Sequence, residues 1–247
     1  MLPILQIGSL AIPTYPLALV LAGWVGLEVG SRVAARLGLD GDHIYNAGLY
    51  ALLVGLIASR LGHVIAFWPA YRTQPLEIVE LNTRALLLWP GVAAGLIVAA
   101  WYVHRRKLPW AAMLDAAAAG ALAAIAVASL GEFLGGQNVG AAANAPWAVS
   151  FWGVKRHPVQ IYEALAAVAV LAATLSALRL PAGPGTATWL AALGYGLSRW
   201  LLEPFRAESA TVLNGVRAWQ AAGLALALIA LWGLRGRIGS VGQTEEG

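Results

Sequence analysis

The chain has 247 residues, of which 60% are hydrophobic and only 11% are charged, and its net charge is +4. Soluble domains are nearer one half apolar and one quarter charged, so this composition excludes an ordinary soluble domain. There is no cysteine, which excludes disulfides, cysteine metal sites and a cysteine nucleophile. Basic residues occur in ones to threes at the ends of apolar runs, which argues against a nucleic-acid partner.

Apolar runs of about 18 to 25 residues, the length that crosses a bilayer as a helix, follow one another along the chain. They predict an all-α integral membrane protein with a single polytopic membrane domain over 1–247. Seven transmembrane helices are predicted, at about 15–35, 44–68, 86–104, 111–131, 159–179, 185–204 and 217–234.

The orientation of these spans follows from the basic residues. The densest group is Arg105, Arg106 and Lys107, between the third and fourth spans. Short loops rich in Lys and Arg stay on the cytoplasmic side of a membrane. We therefore expect the N-terminus outside and the C-terminus inside.

The second span contains two ionisable residues, Arg60 and His63, which are three residues apart and share a helix face. An arginine inside a span costs about 3 kcal/mol, which makes it a functional candidate. The alternative is that Arg60 reaches the membrane surface or pairs with a neighbouring carboxylate.

The segment 132–158 is the longest predicted connection. It contains Gly135, Gly136, Asn138 and Pro146. Connections of this length in compact domains are usually functional or disordered. The next span begins after it with Pro158, a good first helical residue, preceded by His157. Polar side chains then enter an apolar helix and require water or a ligand: Gln160 and Glu163.

The sixth span ends with Arg199, Glu203 and Arg206, spaced i, i+4 and i+7 as on one helical stripe. A carboxylate between two guanidiniums can orient one of them while the other binds a phosphate with two parallel hydrogen bonds. Pro204 disturbs helical hydrogen bonding at this point. The alternative is a salt-bridge cluster at the end of a helix, with no ligand.

Three segments carry a resemblance to a known family. They are ARLGLDGDHIYNAGLYALLVGLIASRLGHV at 35–64, RHPVQIYEAL at 156–165 and GYGLSRWLLEPFR at 194–206. In this order they resemble the prolipoprotein diacylglyceryl transferase family of the bacterial inner (plasma) membrane. The resemblance implies seven spans, an outward-facing site and transfer of the diacylglyceryl group of phosphatidylglycerol to the lipobox cysteine of a prolipoprotein.

The resemblance also implies roles for particular residues. Phosphatidylglycerol, an anionic phospholipid, and a lipoprotein precursor peptide are the expected partners, and no metal or cofactor is expected. The expected catalytic residues are Arg199, with His157 or His63 as base. The expected substrate-binding residues, most of which should line one cavity, are Tyr15, Arg60, Gln160, Tyr162, Glu163, Glu203 and Arg206.

The chain departs from the family pattern at several positions. Trp89 stands where the family has a histidine, and Ser129 stands where its signature has an arginine. Glu132 and Gly135 replace two asparagines, and Gln137 replaces a glutamate. A second hypothesis therefore remains open: a divergent relative, inactive in this reaction, that binds lipid or serves as an accessory membrane subunit.

Overall fold

The structure is a computed structural model that describes residues 3–8, 10–79, 85–179, 183–212 and 215–238. Within those ranges most residues are helical, and a long helix occupies each predicted span to within a few residues. The helices are α1 (Thr14–Arg36), α2 (Asp42–Ala66), α3 (Trp68–Tyr71), α4 (Leu88–Arg105), α5 (Trp110–Gly135), α6 (Val159–Ala177), α7 (Thr186–Leu202) and α8 (Ala218–Ile238).

Five helices in the described part of the chain are long and apolar enough to cross a membrane, namely α1, α2, α5, α6 and α8. The other two long helices are shorter, with 18 residues in α4 and 17 in α7. The protein is therefore an all-α, multi-pass membrane protein.

The end of α5 differs from the prediction. The fourth span was expected to stop near residue 131, but the helix continues to Gly135. Gly136 then adopts a left-handed conformation with φ of 69°, which ends a helix without the steric cost that a Cβ would bring. Glu132 therefore projects from a helix rather than from a loop.

Helices pack closely through glycines. In the α1–α5 contact a Cβ added at Gly26 would lie 2.9 Å from the carbonyl oxygen of Gly120. In the α7–α8 contact a Cβ added at Gly223 would lie 2.8 Å from the carbonyl oxygen of Gly196. Small residues allow membrane helices to approach this closely, because dispersion contacts between backbones replace the hydrophobic effect.

The N-terminus of α7 is fixed by a buried aspartate from α5. The Asp115 carboxylate is 2% exposed and accepts hydrogen bonds from the Gly185 and Thr188 amides at 2.6 and 2.7 Å. It also accepts one from the Thr188 hydroxyl at 2.6 Å. An acidic group that satisfies free amides at a helix start is favourable. Asp115 thus positions the helix that carries Arg199.

In the part of the chain that the structure describes, three antiparallel hairpins lie at one end of the long helices, since successive long helices run in opposite directions. This end is called the hairpin end. The opposite end, where Arg105, Arg106 and Lys107 connect α4 to α5, is called the basic end. The hairpins are β1 (Ile4–Ile7) with β2 (Leu10–Pro13), β3 (Val149–Phe151) with β4 (Val154–Arg156), and β5 (Thr211–Val212) with β6 (Val216–Arg217).

Candidate active site

The C-terminal end of α7 holds the predicted arginine–glutamate pair. Arg199 Nη2 donates to Glu203 Oε2 at 2.6 Å, which confirms the expectation that these residues share a face. The prediction for Arg206 was wrong in one respect. The α-helix ends at Leu202, and a 3-10 turn with Pro204 leads to an extended Arg206. Arg206 therefore reaches the cluster from beyond the helix rather than along a helical stripe.

Glu163 of α6 joins the two arginines. Its Oε1 accepts from Arg199 Nη1 at 2.9 Å. Arg206 donates to the same carboxylate through Nη2, at 2.6 Å to Oε1 and 2.7 Å to Oε2, and through Nε at 3.1 Å. The arginine side chains are each 16% exposed and the Glu163 side chain is 11% exposed. Charges this far from water require such pairing, and multiple charge-assisted bonds fix the guanidinium planes.

Glu203 and Arg217 complete the cluster. Glu203 is 1% exposed, and its second carboxylate oxygen accepts a hydrogen bond from the Ser209 hydroxyl. Arg217 Nη1 donates to the backbone carbonyls of Glu203 and Arg206 at 2.6 and 2.9 Å. Arg217 therefore adds a positive charge to the cluster, and its partners there are backbone carbonyls rather than a carboxylate. No sequence motif identifies Arg217, because its partners are backbone carbonyl groups.

A cavity of about 590 Å³ opens beside these arginines. Burial of the Arg206 guanidinium opposes its charge, but hydrogen bonds and attraction to Glu163 outweigh burial and hold the pKa of Arg206 above its usual value. Arg206 therefore stays charged at the cavity wall. The lining residues are Asn138, Arg199, Glu203, Arg206, Ala207, Glu208, Ser209, Ala210 and Trp219.

The connection after α5, which was expected to be functional or disordered, forms part of this site. Its Ala141 amide donates to the Phe205 carbonyl at 2.7 Å, and the Ala207 amide donates to the Val139 carbonyl at 3.1 Å. A Cβ at Gly140 would collide with the carbonyl oxygen of His157. Backbone contacts this close fix the segment against the end of α7 and bring Asn138 to the cavity.

The residues that begin α6 form a polar and aromatic layer next to the cluster. Gln160 is fully buried, and its Nε2 donates to the Gln137 carbonyl at 2.6 Å. The Tyr162 hydroxyl accepts from Trp147 Nε1 at 2.6 Å and lies 3.3 Å from His157 Nδ1. The His157 ring packs edge-on against Phe205 with centroids 5.0 Å apart. His157 is therefore adjacent to the turn that presents Arg206.

Glu132 and Tyr15 meet at the hairpin end of α5 and α1. Glu132 Oε1 accepts from Asn138 Nδ2 at 2.7 Å. Its Oε2 is buried and has no hydrogen-bond partner in the described residues. Tyr15 packs beside Gly135, where an added Cβ would lie 3.0 Å from the tyrosine Cβ. Both side chains are next to the segment that lines the cavity.

Arg60 was expected to line the same cavity and His63 was an alternative base, but neither is among the residues that line it. Arg60 donates to the carbonyls of Ile78 at 3.2 Å, Ala85 at 3.0 Å and Glu77. His63 Nδ1 lies 3.1 Å from the Tyr71 hydroxyl, and the Arg60 guanidinium is 5.4 Å from the Tyr71 ring centre. These groups are used to hold the α2–α4 connection, because freed backbone carbonyls there need donors.

Ser129 and Trp89, two positions where the sequence was expected to differ from the family pattern, lie in different places. Ser129 is 5% exposed within α5. Trp89 is 66% exposed and stacks on Trp219 with centroids 6.2 Å apart. The Trp219 ring in turn lies 6.0 Å from the Arg199 guanidinium. Trp89 thus supports one wall of the cavity from outside and does not fill a buried space.

Fold and site together define a multi-pass membrane protein whose cavity is walled by fixed guanidinium groups. A family model described as prolipoprotein diacylglyceryl transferase matches residues 3–235, and the chain belongs to this family.

Relatives named phosphatidylglycerol–prolipoprotein diacylglyceryl transferase resemble the chain over most of its length. The protein from Methylocella silvestris is 32% identical, covering 82% of this chain and 80% of its own. The Agrobacterium fabrum protein is 29% identical, covering 92% and 89%. The Corynebacterium diphtheriae protein is 25% identical, covering 86% and 83%.

Proposed function

We propose that this protein transfers the diacylglyceryl group of phosphatidylglycerol to the lipobox cysteine of a prolipoprotein. The observation that carries the proposal is the pair Arg199 and Arg206, held by two carboxylates at the wall of a cavity of about 590 Å³. A phosphate that leaves with its charge needs cations already in position. The family membership and the names of the relatives supply the substrates.

The proposed setting is a bacterial inner membrane, crossed by all seven long helices as one domain, with the hairpin end and N-terminus outside and the C-terminus inside. The basic residues at 105–107 support this orientation. An introduced cysteine at Arg106, in a chain that has none, should resist an impermeant thiol reagent applied to intact cells. Rapid labelling would overturn the orientation.

In the proposed reaction the cysteine thiol loses its proton to His157, and the thiolate attacks the carbon of the diacylglyceryl group that is bonded to the phosphate oxygen. The carbon–oxygen bond breaks, and glycerol phosphate leaves with the electron pair. Arg199 and Arg206 stabilise its charge while Glu163 and Glu203 hold their planes. A thiol has a pKa near 8.5 in water, so a base is needed at neutral pH.

Tyr15, Gln160 and Tyr162 are proposed to shape the binding site around these groups. Tyr162 orients the proposed base through its contact with His157, and Gln160 fixes the segment after α5 through the Gln137 carbonyl. Arg60 is not included in the proposed site, since its donors are occupied by three carbonyl groups.

The direct test is lipidation of a lipobox peptide in membranes that lack their own transferase. The wild-type protein should lipidate the peptide. Arg206→Gln should lower kcat by about 10²–10³, as expected when a charge-stabilising donor is lost. Arg206→Lys should also be impaired, since an ammonium cannot bind the carboxylate and the phosphate with a planar fork. Failure of the wild-type protein to lipidate the peptide would refute the proposal.

The proposed base is tested by His157→Ala and His63→Ala in the same assay, measured as pH–activity profiles. His157→Ala should lower activity by about 10²-fold or more, and His63→Ala should have a small effect because His63 binds Tyr71 away from the cavity. If neither change lowers activity more than a few-fold, the base is another group.

A second function has specific support. By the resemblance, Trp89 and Ser129 stand where a histidine and an arginine are expected, and each cavity arginine already contacts a carboxylate. These features favour a relative that binds an anionic lipid without transfer. Phosphatidylglycerol bound to the purified protein, with no lipidated peptide under any condition, would support this second function.

A further inference from the structure

A second group of arginines lies at the basic end, far from the candidate active site. From Trp89 to Arg105, α4 rises by about 24 Å at 1.5 Å per residue. A surface groove of about 790 Å³ runs there between α2 and α4. It is lined by Tyr50, Val54, Val98, Trp101, Tyr102, Arg105 and Arg106.

The two arginines of this groove differ from the buried, paired arginines of the candidate active site. Arg105 and Arg106 are exposed. In the part of the chain that the structure describes, neither guanidinium has an ion pair or hydrogen bond. The Arg106 guanidinium lies 5.8 Å from the centre of the Tyr102 ring. The groove therefore presents two uncompensated cations on an aromatic surface.

The groove changes from charged to apolar along the helix axis. Next to the arginines are Tyr50 and Trp101, which are 45% and 60% exposed. Amphipathic rings of this kind are typical of the level of lipid head groups. About one turn deeper the lining becomes Val54 and Val98, which contact hydrocarbon favourably. The order along the groove, from cations through aromatic rings to aliphatic side chains, matches the order of head group, glycerol backbone and acyl chain in a phospholipid.

The ring of Tyr102 makes this surface rigid. Tyr102 is 4% exposed, its hydroxyl lies 3.0 Å from His43 Nδ1, and it packs on Tyr50 with centroids 5.9 Å apart. Because this ring is fixed beneath Arg106, the arginine has fewer conformations to lose when a ligand binds. A preorganised cation of this kind favours a lasting contact over a transient one.

We infer that the α2–α4 groove at the basic end binds a single anionic phospholipid, with its phosphate on Arg105 and Arg106 and one acyl chain along Val54 and Val98. This site is separate from the proposed transferase site and does not depend on transferase activity. Its occupant should stay intact, because among the described residues no carboxylate or histidine lines the groove.

The experiment compares retained lipid by native mass spectrometry after delipidation and re-addition of phosphatidylglycerol or phosphatidylcholine vesicles. The double variant Arg105→Gln/Arg106→Gln should lose one retained phosphatidylglycerol per protein, with affinity weakened roughly 30-fold, from about fivefold for each cation. Retention of phosphatidylcholine should not change. The matched control, Arg32→Gln/Arg36→Gln, removes two arginines from the end of α1 that also lies at the basic end. This variant should retain the lipid.

Unchanged phosphatidylglycerol retention in the folded double variant, or an equal loss in the control, would refute the site. A second measurement leaves Arg105 and Arg106 unchanged, so the inference can be tested even if the double variant does not fold. A cysteine introduced at Val54 would be the only one in the chain and can carry a fluorophore. A spin-labelled anionic phospholipid should quench it more strongly than a zwitterionic one, and equal quenching would overturn the inference. Activity of the Val54 variant in peptide lipidation reports separately on the transferase proposal.

Discussion

The two ends of the helices use arginine in opposite ways. At the hairpin end, Arg199 and Arg206 are 16% exposed and share the carboxylates of Glu163 and Glu203. At the basic end, Arg105 and Arg106 are exposed and contact no carboxylate in the described ranges. An arginine removed from water needs a counter-charge, whereas one at the membrane surface is solvated. Fixed geometry is therefore expected at the hairpin end and electrostatic attraction at the basic end.

The largest effect should come from removing a matched carboxylate. Glu163→Ala removes the carboxylate that Arg199 and Arg206 share, and both guanidiniums stay buried without it. We expect a loss of about 3–5 kcal/mol in the free energy of unfolding, as found when one member of a buried pair is removed. Thermal unfolding in detergent measures the stability, and peptide lipidation should be lost in the same variant.

The matched control for this change is Glu28→Ala. Glu28 pairs with Arg32 at 2.7 Å, but their side chains are 31% and 71% exposed. Exposed pairs contribute little to stability, so only a slight shift in Tm is expected. Equal shifts for Glu28→Ala and Glu163→Ala would contradict the contrast between buried and exposed pairs.

A smaller loss in the free energy of unfolding is expected from a change that separates α8 from α7. A Cβ at Gly223 would lie 2.8 Å from the Gly196 oxygen and 2.9 Å from the Arg199 Cβ. Gly223→Ala should therefore destabilise the protein by about 1–3 kcal/mol through overpacking and disturb Arg199 directly. Gly183→Ala is the control, since nothing lies within 4 Å of a Cβ there. A stable, fully active Gly223→Ala variant would show that the α7–α8 contact does not position Arg199.

The basic end can be given a carboxylate to remove its difference from the hairpin end. Trp101→Glu places a carboxylate four residues before Arg105 on α4, the spacing of a helical ion pair. Retention of phosphatidylglycerol should fall about fivefold, the effect of neutralising one cation. Trp101→Gln removes the ring without adding a charge, so the difference between the two variants isolates electrostatics. Equal retention in both would argue against head-group attraction.

The smallest effect concerns Glu132, whose charge acts on Arg206 and Arg199. Glu132→Gln removes a negative charge next to the proposed phosphate site while keeping the shape of the side chain. Binding of phosphatidylglycerol at the hairpin end should become about threefold tighter, a typical gain for one charge several ångströms away. Weaker binding would indicate that Glu132 holds Asn138 in place for the ligand.

Local periodicity explains which parts of this architecture could be predicted. Arg199 and Glu203 are four residues apart, so helix geometry alone places them together. Arg60 and His63 also share a face, but the sequence does not show that the carbonyls of Glu77, Ile78 and Ala85 would accept the donors of Arg60. The partners of Arg217 were equally hidden, because backbone acceptors carry no residue signature. Contacts across helices, such as Glu163 with Arg206, needed the resemblance or the structure.

The stacked indoles of Trp89 and Trp219 give the cavity an optical signal of its own. Their planes are inclined by only 14°, and the Trp219 ring centre lies 6.0 Å from the guanidinium of Arg199. Transition dipoles this close couple as an exciton pair, so the two rings should contribute a paired band to the ultraviolet circular dichroism. The chain has 11 tryptophans, and a difference spectrum against Trp89→Phe isolates that band. A ligand that moves Arg199 would then change the spectrum without any attached label.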